Sequence, residues 1–300
     1  MKHRLLKWMS WVPVVVFVLW SIGQLLKDRS VVLGVMFYMP SALLTVAYAM
    51  FALIAGWKKS RWWILYAGLT VPPMACVLQL ENRWTPGSIS LKPDSVCRLV
   101  HWNLCRPVSR WPEQLERLRA LAADVIILSE TTDSIREADF PEHQVLQLPG
   151  MLIACRGRMK ASKSLVPGGV VAAYQVHCEL PEGSLDVIVA DMTSNFRIWR
   201  HPYLKSLVEC AIERKADLVV GDLNTPRRSL AFDELPDGYH HAYDAVGCGW
   251  SYTWPVPLPV LAIDHCLCGP ETIPVNYELQ TSWLSDHRIQ ILDFGKLSWE

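Results

Sequence analysis

Polar and apolar positions divide the chain into two kinds of pattern. Up to residue 80 the apolar runs are long and free of charge: 8–26 (WMSWVPVVVFVLWSIGQLL), 31–56 (VVLGVMFYMPSALLTVAYAMFALIAG) and 62–80 (WWILYAGLTVPPMACVLQL). Each matches the roughly 20 residues that a helix needs to cross a bilayer core of about 30 Å. Trp57, Trp62, Trp63 and Trp84 stand near the ends, where indoles favour the interface. Three membrane helices are expected. A cleaved signal peptide is the alternative for the first run, but that run is long and no clear small-x-small cleavage site follows it. Pro72 and Pro73 interrupt the third, which leaves a kinked or re-entrant segment open there and makes this the span on which the topology turns.

Past residue 96 short apolar strands alternate with helical stripes. CRLVHWN (97–103), DVIILSE (124–130), GGVVAAYQV (168–176), LDVIVADM (185–192), ADLVVGDLN (216–224), LAIDHCLC (261–268) and RIQILDF (288–294) read as strands. WPEQLERLRALAA (111–123), with a helix-start proline, and PYLKSLVECAIERK (202–215) read as amphipathic helices. Between the two regions, ENRWTPGSISLKPDS (81–95) is rich in Pro, Gly and Ser. The expected organisation is a membrane anchor over 1–85, a linker over 86–96 and one α/β domain over 97–300.

Charge sharpens this division. The chain is neutral overall, yet 1–96 holds ten Lys/Arg against three Asp/Glu, a net +7, and 97–300 holds nineteen against twenty-six, a net −7. An acidic domain lacks the broad basic surface of a general nucleic-acid binder, whereas a basic anchor suits anionic lipid headgroups. Lys2, Arg4 and Lys7 precede the first run and Lys58, Lys59 and Arg61 follow the second, against Lys27 and Arg29 in the intervening loop. Basic flanks favour the cytoplasm, so three crossings would leave the domain outside a cytoplasmic membrane, taken here as bacterial from the compact anchor. Eight of the nine cysteines lie in that domain, where an oxidising compartment would permit disulfides of unspecified pairing. Cys266 and Cys268 would share a strand face, and no CxxC pair suggests zinc.

Several strands end on groups a core cannot use: Asn103, Glu130, Asp222 with Asn224, Asp264 with His265, and then Asp286 with His287. One such residue is ordinarily a cap or turn. Gathered at one sheet edge, so many carboxylates repel unless a cation binds, and hard oxygen donors suit Mg2+ or Mn2+.

The ordered set LVHWNLC, ADVIILSE, VVGDLNT, AIDH and SDHRIQIL resembles the endonuclease/exonuclease/phosphatase (DNase I-like) superfamily over about 97–294. The resemblance implies a four-layer α/β/β/α sandwich with its site where the loop ends of the two sheets meet. It implies Glu130 as principal metal ligand, Asn103 and Asp286 as helpers, Asp222 aligning or deprotonating the attacking water, and Asn224 fixing the phosphate or that aspartate. Asp264 would orient His287 against the scissile phosphate. One position departs from the family pattern: VADMTSN places Asp191 where a phosphate-binding histidine commonly stands. Asp191 binding a second metal, substitution by Asn195 or His201, and impaired catalysis are the open explanations. Trp254 in the Thr-Trp segment would stack on substrate or sit in the core. Arg106, Arg110, Arg227 and Arg228 are candidate phosphate contacts, and the neighbours His240 and His241 point apart and suit a cleft border better than a metal.

The expected activity is therefore hydrolysis of a phosphodiester or phosphomonoester, in nucleic acid or in a lipid or lipid-linked headgroup, by a metal-dependent enzyme anchored in the bilayer. The alternative from another class is a noncatalytic membrane receptor or scaffold that keeps the sandwich. A channel is disfavoured because the three runs carry no ionisable residue to mark an ion path. Nothing calls for an obligate protein partner.

Overall fold

The computed structural model describes residues 11–87, 93–106, 109–132, 135–162, 164–166 and 169–297. Lys2, Arg4 and Lys7, the linker residues 88–92 and Gly168 of the expected 168–176 strand lie outside them. The chain divides into two compact units. The first comprises residues up to Asn82 together with Asn195–His201 and Arg228–Leu230, and the second holds the remainder.

The helical unit contains α1 (Val12–Leu26), α2 (Val31–Phe37), α3 (Ser41–Trp57) and α4 (Trp62–Ala75), the last running on as a π-helical turn over Cys76–Glu81. Three full spans are not what forms among the described residues. One helix, Trp62–Glu81, has the length and apolarity to cross a membrane; α2 and α3 make a second only if a pair bent by 56° counts as one; α1 has 15 residues. Pro40, which caps α3, has no N–H to continue the preceding helix, and Ser30 Oγ caps α2 by accepting from Leu33 N at 3.3 Å. Pro72 and Pro73, by contrast, lie inside α4 without ending it. The wider π turn that follows is the kind of local adjustment by which a proline-bearing apolar helix keeps its backbone groups paired.

Ring contacts such as Phe17 with Trp20 and Tyr48, and a few hydrogen bonds, join the helices inside this unit. Ser41 Oγ accepts from Trp20 Nε1 at 3.3 Å and donates to Glu81 Oε1 at 2.7 Å, while Tyr48 OH donates to the Pro13 carbonyl. Gly23 lets α1 meet α2 closely: a Cβ there would lie 2.4 Å from the Met36 carbonyl carbon.

The second unit holds β1 (Cys97–Asn103), α5 (Trp111–Ala120), β2 (Val125–Ser129), β3 (Gln144–Leu148), β4 (Met151–Cys155), β5 (Arg158–Ala161), β6 (Val171–Leu180), β7 (Gly183–Met192), α6 (His201–Glu213), β8 (Leu218–Asp222), α7 (Leu230–Asp233), β9 (His240–His241), α8 (Ala242–Val246), β10 (Asp264–Cys268), β11 (Thr272–Gln280) and β12 (Ile289–Lys296). They form two six-stranded sheets, ordered β11-β12-β1-β2-β4-β3 and β5-β6-β7-β8-β10-β9. In each sheet one central pair is parallel, β1 with β2 and β7 with β8, and the pairs around it are antiparallel.

Strand alternation sorts the side chains into layers. Leu99, Ile127, Val187, Val220 and Cys266 meet between the sheets, together with Cys97, Cys155, Cys178 and Cys268. Val100, Trp102, Ile126 and Leu128 turn the other way and bury Leu115 and Leu118 of α5, while Ile188 and Val219 bury Leu204, Leu207 and Ala211 of α6. The result is the expected α/β/β/α sandwich. Cys266 and Cys268 share the inner face as expected, and all the described cysteines are free thiols.

Candidate active site

The parallel pairs run β1, β2, β7 and β8 toward one end of the sandwich, and their antiparallel neighbours β10 and β12 begin there. Asn103 closes β1, Glu130 follows β2, Asp191 stands near the end of β7 and Asp222 closes β8. Asp264 opens β10, with Asp286 and His287 just before β12. Register brings the carboxylates side by side, because Asp222 lies opposite both Asp264 and Asp191. The expectation that these distant residues gather is met.

One side chain joins the two sheets. Asn103, fully buried, donates through Nδ2 to Asp222 Oδ2 at 2.9 Å and to Glu130 Oε1 at 3.3 Å, and its Oδ1 accepts from Cys105 N at 2.9 Å. Asn224 N donates to Asp222 Oδ1 at 2.9 Å, and its side-chain amide donates to the Met192 carbonyl. Of the two roles open to Asn224, the contact formed is with the aspartate. Glu130, Asn224, Cys105 and Arg106 all have φ near +50°. Four non-glycine residues in that sparsely populated region mark loops held by their surroundings.

On the other side, His287 Nδ1 bonds Asp264 Oδ2 at 2.9 Å, and its Nε2 points toward Asp222 Oδ2 at 3.8 Å and Asp286 Oδ1 at 4.0 Å. Burial opposes charge on this imidazole, but Asp264, Asp222 and Asp286 outweigh it and raise its pKa to about 9. Burial and the neighbouring Asp264 charge push Asp222 well above the ordinary carboxylate range. Asp191 rises to about 7, through burial first and then the Glu130 and Asp264 charges. Burial also opposes ionisation of Asp264, yet the His287 pairing holds its pKa below the usual value.

Sequence reading missed the residues that support this set. Ser285 Oγ donates to the Asn103 carbonyl at 2.6 Å and accepts from His287 N at 3.1 Å, and Trp102 Nε1 donates to the His287 carbonyl at 3.1 Å. Thr253 Oγ1 accepts from the backbone of Ile263 and Asp264. Their only signal was adjacency to a motif. Trp254 is placed by its own bond: Nε1 donates to Asp286 Oδ2 at 2.9 Å, so the indole orients a carboxylate. Arg106 stays at the site, 3.6 Å from Glu130 Oε2, with its side chain 80% exposed.

Other candidates fall away. Arg227 pairs with Asp244 and lies over the Tyr243 ring, and Arg110 donates to the Trp283 carbonyl. Arg228, Asn195 and His201 fold with the helical unit. His241 is buried against Phe232 and His265, and His240 bonds the Gly238 carbonyl.

The donor chemistry fits a hard divalent cation. Asp286 Oδ1 is a buried oxygen without a hydrogen-bond partner, and Glu130 keeps a third of its side chain exposed. Asp222, Asp264 and His287 each offer a ligand atom within 4.8 Å of the others, a possible metal site in its own right.

The sequence profile of the Endonuclease/Exonuclease/phosphatase family matches residues 100–287, more than half of the chain. The chain belongs to this family. The family assignment and the gathered site indicate a phosphoric ester hydrolase. Solved structures with the same fold include Danio rerio TDP2 complexed with single-strand DNA product (16% identity, TM-score 0.53, 68% of this chain and 100% of that one). An endonuclease/exonuclease/phosphatase from Bacteroides vulgatus (13%, TM-score 0.54, 68% and 100%) and the human Nocturnin catalytic domain with bound sulfate (16%, TM-score 0.51, 69% and 96%) are similar. No curated protein sequence matches the chain.

Proposed function

We propose that this family member is a membrane-anchored phosphoesterase that uses Mg2+ or Mn2+ to hydrolyse a phosphodiester or phosphomonoester, with its sandwich on the extracytoplasmic side of a bacterial membrane. The observation that carries the chemistry is the Asn103 amide, which ties Glu130 to Asp222 across the two sheets. It supports a reading in which Glu130 binds the cation and Asp222 handles the water at one phosphate.

Glu130, Asn103 and Asp286 would hold the cation, which supplies polarisation of a phosphoryl oxygen and charge for the leaving oxygen. Asp222, made basic by burial and by Asp264, aligns the attacking water and takes its proton. Asn224 N and Asn103 Nδ2 hold that carboxylate in place. His287 is kept cationic by Asp264, so its Nε2–H presents positive charge to the phosphate. Asp191, with a pKa of about 7, carries a proton on much of the population at neutral pH and then donates to phosphate where a histidine commonly stands. Anchoring draws on the apolar side chains that the helical unit exposes, among them Leu25, Leu53 and Trp57.

The full chain in detergent should hydrolyse bis-p-nitrophenyl phosphate with Mg2+ or Mn2+ and stop on adding EDTA. Undiminished activity in Glu130→Ala and Asp222→Ala would show that the site lies elsewhere. Sidedness is read with a membrane-impermeant maleimide, because Cys105 and Cys248 are exposed free thiols. Labelling in intact cells supports an outside domain, and labelling only after lysis reverses the orientation.

A further inference from the structure

Two short segments from far along the chain fold as part of the helical unit, and their attachments are specific. Asp28, between α1 and α2, is 2% exposed, and its carboxylate accepts from Ser229 Oγ at 2.5 Å and Leu230 N at 2.9 Å. Arg228 Nη1 donates to Gln24 Oε1 at 2.9 Å and lies 3.0 Å from Cys76 Sγ, side chains of α1 and of the π turn after α4. Trp199 Nε1 donates to the Asp28 carbonyl at 2.7 Å, and the Arg200 guanidinium lies 5.4 Å from the centre of the Tyr38 ring. A buried carboxylate and an arginine set among apolar helices are costly unless paired, and here both are paired.

These segments directly continue the strands that carry the reactive groups. Arg228 follows Asn224 by four residues, and Asn195 follows Asp191 by four. Gln24 lies two residues from the end of α1, and Cys76 opens the π-helical segment that ends the Trp62–Glu81 helix, after which the chain passes to the sandwich. In a bilayer, helix ends of this kind sit at headgroup depth. The 195–201 segment carries the chemistry of that depth, with Phe196 62% exposed, Trp199 40% exposed and Arg197 between them.

We propose that the phosphoester hydrolysed is carried by the bilayer itself, as a phosphate ester of a membrane lipid. This rests on the anchored-phosphoesterase reading above. Chain continuity ties Asp191, Asp222 and Asn224 to segments built into the anchor, and a substrate confined to the same surface meets them at high effective concentration. A long polyanion gains little from a domain of net charge −7.

The test uses the full chain reconstituted in vesicles of total bacterial lipid, with phosphorus NMR following headgroup or phosphate release. Bis-p-nitrophenyl phosphate and a single-stranded oligodeoxynucleotide serve as soluble probes. We expect lipid turnover with a kcat/KM about a hundredfold above either soluble probe, the scale that surface confinement supplies. Asp28→Ala and, separately, the milder Ser229→Ala should lower lipid turnover several-fold and leave bis-p-nitrophenyl phosphate hydrolysis unchanged. Hydrolysis of a soluble probe with no lipid turnover, or lipid turnover indifferent to both variants, overturns the inference and leaves the phosphoesterase reading standing. Absence of every activity with either metal overturns that reading instead.

Discussion

The two units of this protein are built inside out with respect to each other. In the helical unit many large apolar side chains face outward, with Leu25 82%, Leu53 74% and Trp57 85% exposed, while Asp28 and Ser41 are buried along with Trp20, Phe37 and Tyr48. In the sandwich the apolar side chains are inside, and buried charge is concentrated at the end where Asp222, Asp264 and His287 meet. The same rule explains both: polar groups withdrawn from water need partners, and apolar groups go wherever the surroundings are apolar. What differs is which side of each unit carries the apolar surface. The buried polar groups of the first hold helices together, whereas those of the second gather at the candidate active site.

The sharpest way to break this comparison is at the carboxylate that both sheets share. Asp222→Ala should lower kcat on bis-p-nitrophenyl phosphate by roughly a thousandfold or more, the scale of a lost general base, with the circular dichroism spectrum retained. A residual rate near wild type would mean that the buried charge there is structural. Next in size is the solvent contrast. Leu128→Ala, in the sandwich core, should cost about 2–5 kcal/mol in urea unfolding. Leu53→Ala, on the outward face of α3, should cost under about 0.5 kcal/mol in detergent. Similar costs at both positions would mean that Leu53 packs in a protein core after all.

Acid should attack the sandwich through three buried histidines. Burial lowers the pKa of His101 and of His265 to about 4 and that of His241 well below the ordinary value. The unfolded chain takes up protons near pH 6.5 and the folded chain does not, so this stability is fully present above that pH and lost as pH falls toward 4. The loss is about 1.4 kcal/mol per pH unit for each histidine, measurable as a drop in Tm. Flat stability over this range would show that the three rings are protonated in the fold.

The smallest effect concerns Asp191. Activity should decline as pH rises past about 7, where this carboxyl ionises and repels phosphate, and decline again near 9, where His287 loses its proton. Asp191→Asn should abolish the first limb and keep the second, changing the rate at pH 6 by less than about tenfold, since the amide still donates. A pH profile identical to wild type would remove Asp191 from phosphate binding.

Much of the sandwich was legible because its strands are short, apolar and bounded. CRLVHWN is β1 residue for residue, and the helix read over 111–123 forms over Trp111–Ala120. Strands β3, β4, β5, β9 and β11 escaped: β3, β5 and β9 are polar or very short, β4 is a five-residue apolar run without alternation, β11 is interrupted by Pro274, and all five form by pairing with a neighbour. The helical unit was misread in an instructive direction. Among the described residues, the run with two internal prolines makes the one helix of spanning length, and the run with a single proline at residue 40 breaks into a bent pair. A proline's effect depends on whether the freed backbone groups find other partners, and local sequence does not contain that information.

The sequence by itself determined which residues would be chemically available: an ordered set of strand-end amides, carboxylates and one histidine, preceded by long uncharged runs. Only the tertiary structure decided how they work. Asn103 and Asp222 are separated by more than a hundred residues of chain, so nothing local could show that one amide bridges the two sheets. The shifted proton affinities of Asp191, Asp222 and His287 likewise arise from burial and mutual charge, which exist only once separate strands have been brought to the same edge.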